Sequence, residues 1–572
     1  MKIKYLLIAL PILATACTPG TRKLTILTTD DVHGAWFDST YVGGGVRTNL
    51  FALNTYVDSI RKADGKRNVL LIDAGDCLQG DNATYYYNYV DTEGEHMFTR
   101  LMAYMKYDAV AVGNHDIETG HAVYDRVAAE LKRHGIPFLA GNAIRNSDGK
   151  PYFPLYKTFR RGGMKVLVLG YTNANMAAWL DESVWSGMHF ESLLPLVQQD
   201  VDRIRAKEKP DVTIVAAHSG TGEGDGTILE SQALDLFKSL RNVDFVVCAH
   251  DHWQTTMCND SIALINTGTR AKYLGVGKIS IGPDGDRKLE ASLVSVDRNK
   301  VDTVMRAAFR HEYETVKAFT LQEVGVLTED LRTRDAYAGM NPYTDMLHTV
   351  QLKSSGAQIS FAAPLTFNGT VHAGVLVFND MFTIYPYENQ LFKLNLTGKE
   401  VKDFLEYSYG LWLAEPNPGH VLRIISRDDP RNDQKSWSFV QRFYNFDSAA
   451  GINYAVDIRK PRGERVEISS LADGTPFDEA ATYTAVMTSY RASGGGGTII
   501  EGAGIPKEKI EERIICRYPE IRDLIYAYLK EVGIFDEGTI CDRRLLGSWS
   551  FIPAAEASGR IDDDMALLFG KR

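Results

Sequence analysis

Five short segments in the first half of the chain carry residue types that bind metal ions and move protons. They are Asp30-Asp31-Val32-His33-Gly34, Gly75-Asp76-Cys77-Leu78-Gln79-Gly80, Gly113-Asn114-His115-Asp116, Ala217-His218-Ser219-Gly220 and Ala249-His250-Asp251-His252. The chain has 13 histidines, and five of them fall in these segments. A lone Asp-x-His is ordinarily a satisfied core or surface pair, whereas five such segments in one order point to a two-metal hydrolase site. Two divalent cations about 3.5–4 Å apart hold both the attacking and the leaving oxygens of a phosphoryl transfer. Such a pair needs a bridging carboxylate. Asp76 suits that role, because a carboxylate offers two oxygens to two ions. Asp31 and His33, two apart on an extended segment, can converge on one ion across a turn.

Each segment follows an apolar run (LTILTT, VLLIDA, YDAVAV, VTIVAA or VDFVVC) that reads as a strand buried on both faces. Open α/β sheets place ligands beyond the carboxyl ends of their strands. Helical patterns at Val46 to Lys62, Asn88 to Lys106 and His121 to His134 alternate with the strands and predict a layered α/β domain over residues 22–297. Residues 298–320 lack Gly and Pro, carry charges on one side, and predict a connecting helix. Residues 321–550 mix helices with strands such as LFKLNLTG and YTAVMTS and predict a second, α+β domain. Residues 551–572, with an acidic run at Asp562 to Asp564, read as a loosely held tail.

At 572 residues the chain exceeds one ordinary core, and 44% hydrophobic residues supply two. A net charge of −10 argues against binding of nucleic-acid polymers, which normally needs a basic face. An anionic substrate would be drawn in by metal ions and not by the overall field. Lys2 and Lys4, an apolar run from Tyr5 to Leu13, and Ala14-Thr15-Ala16-Cys17 have the layout of an export signal over residues 1–17. The sequence before Cys17 is similar to a bacterial lipobox, so a lipid anchor on Cys17 is expected, with a plain cleaved signal as the alternative. That places the protein in the periplasm or on the outer membrane. Five further cysteines leave at least one unpaired. Cys516 with Cys541 is the favoured disulfide, and Cys77 and Cys248 read as small buried residues.

The order D-x-H, GD, GNHD, H and H-x-H resembles the calcineurin-type metallophosphoesterase domain of the 5′-nucleotidase superfamily. The resemblance implies two divalent metal ions, such as Zn, Mn or Co. Asp31, His33, Asp76 and His252 would hold the first. Asp76, Asn114, His218 and His250 would hold the second. His252 stands where many members have Gln. The resemblance also makes His115 a residue beside the phosphate, stabilising charge or protonating the leaving oxygen. Glu118 would orient it, where the family usually has Asp; Asp116 is the alternative orienter.

In the second half, Tyr444-Asn445-Phe446-Asp447 and Tyr490 to Gly497 each set an aromatic beside a polar or glycine-rich loop. Two aromatic rings can sandwich a nucleobase, although core packing is the simpler reading of any single tyrosine. Both segments resemble the superfamily's nucleoside-binding domain. By that resemblance Tyr444 and Tyr490 clamp the base, while Asn445, Asp447, Gly494 and Gly495 line its pocket. The loop Ala362-Ala363-Pro364-Leu365-Thr366-Phe367-Asn368-Gly369 lacks the arginine that 5′-nucleotidases carry there. With Tyr385-Pro386-Tyr387-Glu388-Asn389, it looks like the 2′,3′-cyclic-nucleotide 2′-phosphodiesterase/3′-nucleotidase branch. The expected activity is hydrolysis of cyclic and 3′-nucleotides, with no obligatory protein partner. The alternatives are a 5′-nucleotidase or nucleotide-sugar hydrolase, or a nucleoside-binding lipoprotein without catalysis.

Overall fold

A computed structural model describes residues 20–417, 419–428 and 435–570. Cys17 and the signal segment lie outside the described residues. The first domain is built on two six-stranded sheets laid face to face. In one, Arg22–Thr29, Val69–Asp73, Ala109–Ala111 and Phe138–Leu139 run parallel, and Tyr273–Ile281 and Arg287–Ser295 close the edge antiparallel. In the other, Met164–Tyr171, Val212–Ala217, Phe245–Cys248 and Ala263–Thr267 run parallel between antiparallel edge strands. Alternate side chains such as Ile26, Leu70, Val168, Ile214 and Val247 fill the space between the sheets. The opposite faces pack on helices including Leu50–Asp64, His121–Arg133 and Leu193–Glu208. Burial on both faces explains why these strands read as unbroken apolar runs and not as alternating ones.

Helix boundaries shift from expectation for local reasons. The first helix begins at Leu50 and not Val46, because the Asn49 side chain accepts from Ala52 N at 2.6 Å and caps it there. The stretch expected as one helix from Asn88 is a turn at Tyr86–Val90 and then Met97–Met105, started by the His96 ring accepting from Phe98 N. The connecting helix is two pieces, Thr303–Ala308 and Arg310–Thr320, broken at Phe309. Phe309 turns inward with Met305, Tyr313 and Val316, so the connector is stapled to the first core.

The second domain centres on a five-stranded mixed sheet: Ser448–Ala450, Ile359–Ala362, Thr482–Thr488, Gln390–Thr397 and Ile514–Glu520. Within the segment expected as a loose tail, residues 551–570 are part of the fold. Trp549–Ile552 adds a strand beside Ile452–Asp457, and the helix Ala554–Phe569 buries Ala557, Ile561 and Met565 in the core. Asp564, read from sequence as part of an acidic run, is buried and accepts from Val421 N and Leu422 N, both at 2.8 Å. The favoured disulfide is also absent: Cys516 and Cys541 are both free, and Cys541 Sγ donates to Asp345 Oδ2. Cys77 and Cys248 are buried at strand ends. Among the described residues no helix is long and apolar enough to cross a membrane.

Candidate metal centre and substrate cleft

The five segments leave five parallel strands, three from one sheet and two from the other, and meet at their shared carboxyl end. Two donor groups form there. Asp31, His33 and His252 make one and Asp76, His218 and His250 the other, each with its donor atoms within 4.8 Å of one another. His33 Nε2 and His252 Nε2 stand 3.0 Å apart, and Asp31 Oδ1 lies 3.7 and 3.5 Å from them. In the second group His218 Nε2 is 3.1 Å from Asp76 Oδ2, and His218 Nε2 and His250 Nδ1 converge on Asn114 Oδ1 at 3.0 and 2.9 Å.

The charge balance of these groups fits divalent ions. Asp31 Oδ1 is buried with no hydrogen-bond partner, a costly state that a cation would relieve. Burial pushes the His33 pKa well down and that of His250 down to about 3, leaving neutral rings with lone pairs to give. For His218 burial works against the charged ring, but Asp76 and Asp31 outweigh it and raise its pKa to about 10. Two carboxylates, one amide oxygen and four imidazoles form a mixed N/O donor set suited to Zn-like ions.

The loops that hold these donors are fixed from beneath. Asp116 is not beside His115's ring. Its carboxylate accepts four backbone N–H groups, from Asp76, Cys77, Leu78 and Gly113, at 2.8 to 3.0 Å. This ties the Asp76 turn to the Asn114 turn. Gly113 is required there, since a Cβ would sit 2.0 Å from Asp76 Oδ1. Asp30 and Asp73 play similar parts, accepting from Thr267 N and Gly75 N at 2.8 Å. It is Glu118 that reaches the His115 ring, with Oε2 2.5 Å from Nδ1. Burial disfavours charge on His115, yet Asp76 and Glu118 outweigh it and lift its pKa to about 9.

His33, His115 and His252 open into a cavity of about 780 Å³ between the domains, whose far wall includes Leu365, Thr366 and Tyr387. Tyr444 is partly exposed and meets Tyr387 edge-on at 6.3 Å. Tyr490 lies flat against Gly495, where a Cβ would come within 2.4 Å of its ring, and its own turn rests on Met176–Trp179 of the first domain. Trp179 in turn stacks on His250 at 5.1 Å, a contact no sequence motif announced. Asp447 does not line an open pocket: it is buried and paired with Arg491 Nε at 2.8 Å. Asn445 Oδ1 accepts from Arg491 Nη1 at 2.9 Å, and Gly495 O from the same nitrogen at 3.1 Å. Arg491 therefore clips the two aromatic-bearing loops together, while Gly494 takes the left-handed turn at φ +102°.

Paired sheets ending in N and O donors, beneath a cleft closed by a second domain, define a metal-dependent phosphoester hydrolase. The sequence matches the calcineurin-like phosphoesterase family over residues 24–254 and the 5′-nucleotidase C-terminal domain over residues 323–502. The chain belongs to this two-domain nucleotidase and phosphodiesterase family. It is 23% identical to the trifunctional nucleotide phosphoesterase protein YfkN of Bacillus subtilis over 87% of the chain, though it spans only 38% of that relative's length. It is 22% identical to the 2′,3′-cyclic-nucleotide 2′-phosphodiesterase/3′-nucleotidase of Haemophilus influenzae, covering 93% of this chain and 87% of that one. Among solved structures, a Staphylococcus aureus 5′-nucleotidase superposes with a TM-score of 0.74 at 20% identity, covering 92% and 99% of the two chains.

Proposed function

We propose that the protein is an exported hydrolase of 2′,3′-cyclic nucleotides and 3′-nucleotides, working with two divalent ions. The observation that carries the metal-dependent part is the meeting of the two donor groups at one end of the paired sheets, with His33 and His252 opening into the cleft. Asp31, His33, Asp76 and His252 would hold one ion, and Asp76, Asn114, His218 and His250 the other. When bound, the ions supply Lewis acidity toward the phosphoryl oxygens. His115, held at Nδ1 by Glu118, keeps Nε2 for the cleft and gives its proton to the leaving oxygen. Tyr444 and Tyr490 fix the base, and the Arg491 clip keeps their loops in register. The cyclic and 3′-nucleotide preference is supported by the arginine-free loop at residues 362–369, which lines the cleft through Leu365 and Thr366, and by the similarity to the H. influenzae protein. The Cys17 segment supports export with a lipid anchor.

The deciding experiment compares kcat/KM for 2′,3′-cyclic AMP, 3′-AMP and 5′-AMP on metal-loaded protein. The reading expects the first two to exceed the third. Dominance of 5′-AMP would make the enzyme a 5′-nucleotidase, and no turnover of any would leave a nucleoside-binding protein.

A further inference from the structure

The cleft's two walls differ in charge. The second-domain wall, with Leu365, Thr366 and Tyr387, brings no cation, while the first-domain wall carries Arg47, Arg270 and Lys272. Arg47 is already committed: Nη1 holds Asp81 Oδ2 at 2.6 Å and Nη2 donates to Gly34 O at 3.1 Å. The other oxygen of Asp81 accepts from Tyr41 Oη at 2.6 Å and Ala83 N at 2.9 Å, so that carboxylate is saturated. Arg270 and Lys272 are exposed, and neither has a carboxylate within ion-pair distance among the described residues. The Arg270 guanidinium has one long contact, Nη2 to Gly80 O at 3.4 Å.

The backbone beneath this free side chain is anything but free. Arg270 N donates to Asp31 O at 2.8 Å, and Thr269 Oγ1 donates to the same oxygen at 2.9 Å. Arg270 and Ala271 both hold left-handed φ values, +57° and +53°, which non-glycine residues keep only where their surroundings enforce it. The Asp31 segment thus fixes the base of an uncommitted guanidinium that lines the cleft. A guanidinium in that position matches a phosphate group, which it can grip with two parallel hydrogen bonds.

We propose that Arg270, with Lys272 beside it, is the cleft's anion-binding pair and takes a second, non-reacting phosphate of the substrate. Gly80, the contact of Arg270, lies on the Cβ and Nδ1 side of His33: a Cβ on Gly80 would sit 3.0 Å from His33 Cβ, and Gln79 O is 3.2 Å from Nδ1, whereas the donor group forms at Nε2. The one contact of the guanidinium is thus on the side of His33 away from its donor nitrogen, a place that suits a neighbouring phosphate and not the reacting phosphoryl. The positive charge that the 362–369 loop lacks is supplied from the opposite wall. The inference rests on the nucleotide-hydrolase reading above and names a substrate class for it: nucleosides phosphorylated at two positions.

The test measures kcat/KM for 3′-AMP and for adenosine 3′,5′-bisphosphate with wild type, Arg270→Gln, Lys272→Gln and the double variant. Loss of charge-assisted hydrogen bonds should lower the bisphosphate value by about 10–100-fold, at least ten times more than the monophosphate value. Arg270→Lys, which keeps the charge and loses the fork, should recover part of the difference. Equal losses on both substrates would place Arg270 on the reacting phosphoryl group and overturn the proposal, as would no loss on either. If wild type turns over 5′-AMP but neither 3′-substrate, the 3′-nucleotide reading fails. The same variants compared on 5′-AMP and ADP then decide the anion pair by the same criterion.

Discussion

Asp31, His33, Asp76, His250 and His252 all hold φ between 45° and 79°, a conformation that costs a non-glycine residue about 1–2 kcal/mol. The sequence hinted at this only weakly: Asp and His take such a φ more often than other side chains, but they do not announce a turn as Gly does. The strain gathers where donors must turn back from their strands toward a common point, which marks the floor as selected for chemistry and not for stability. Two substitutions separate the roles assigned there. Asp76→Asn removes the carboxylate proposed to bridge the ions and should strip bound metal along with nearly all turnover; full metal content with normal rates would reject Asp76 as the bridge. His115→Ala should keep both ions while slowing kcat by about 10²–10⁴-fold, the usual contribution of a general acid. Elemental analysis beside steady-state kinetics reads both, and metal loss in the His115 variant would make it a ligand.

At the level of turns and strands, Asp116 shows why the motif was easier to find than to interpret. Its place in Gly113-Asn114-His115-Asp116 was plain, and two carboxylates near one histidine left the orienter open. Only the fold reveals that Asp116 faces down into four backbone N–H groups while Glu118, one helical turn on, meets the ring. Asp116→Ala leaves those donors buried and unpaired, so a loss of at least about 3 kcal/mol is expected, with weaker metal binding as the Asp76 turn loosens. Urea unfolding and metal titration measure the two; an unchanged metal affinity would mean the turn holds without it. Strand positions were legible because double burial writes itself as an apolar run. Two helix starts were not, because side-chain caps at Asn49 and His96 set them, whereas the helix predicted from His121 does begin there. The helix from Pro342 to Ser355 adds a titratable element: His348 is buried between Ser360 Oγ and Ser448 Oγ, and burial depresses its pKa to about 3. Its folded value lies below the ordinary 6.5 of the unfolded chain, so its stability contribution is present above pH 6.5 and is lost on acidification toward pH 3. Each pH unit in that window should cost about 1.4 kcal/mol. His348→Gln should flatten the pH dependence of urea stability by that slope, and a slope equal to wild type would show that the ring titrates normally.

Across the whole molecule, the second domain does not hang from a flexible connector. Asn82 Nδ2 meets Asn379 Oδ1 at 3.0 Å, and Tyr85 Oη meets Asp523 Oδ1 at 2.7 Å. The segment just past Asp76 therefore carries one part of the junction between domains. That junction sets the distance from the aromatic loops to the metal floor, and long-range geometry of this kind leaves no trace in periodicity. The chain of contacts runs from Tyr490's turn to Met176–Trp179, and from Trp179 to His250. If Tyr444 and Tyr490 sandwich the base, stacking energy gained in one domain is what holds the phosphate over the other. Tyr444→Ala and Tyr490→Ala should then lower kcat/KM for nucleotides by about five- to 150-fold, matching the loss of one stacking partner worth about 1–3 kcal/mol. A phosphodiester with no base, bis-p-nitrophenyl phosphate, never had that contribution and should be hydrolysed at close to the wild-type rate. The contrast between the substrates carries the argument, because a folding defect lowers active enzyme and so depresses both equally. Equal losses would return the two tyrosines to core packing, and the cleft would then choose its substrate by means other than the base.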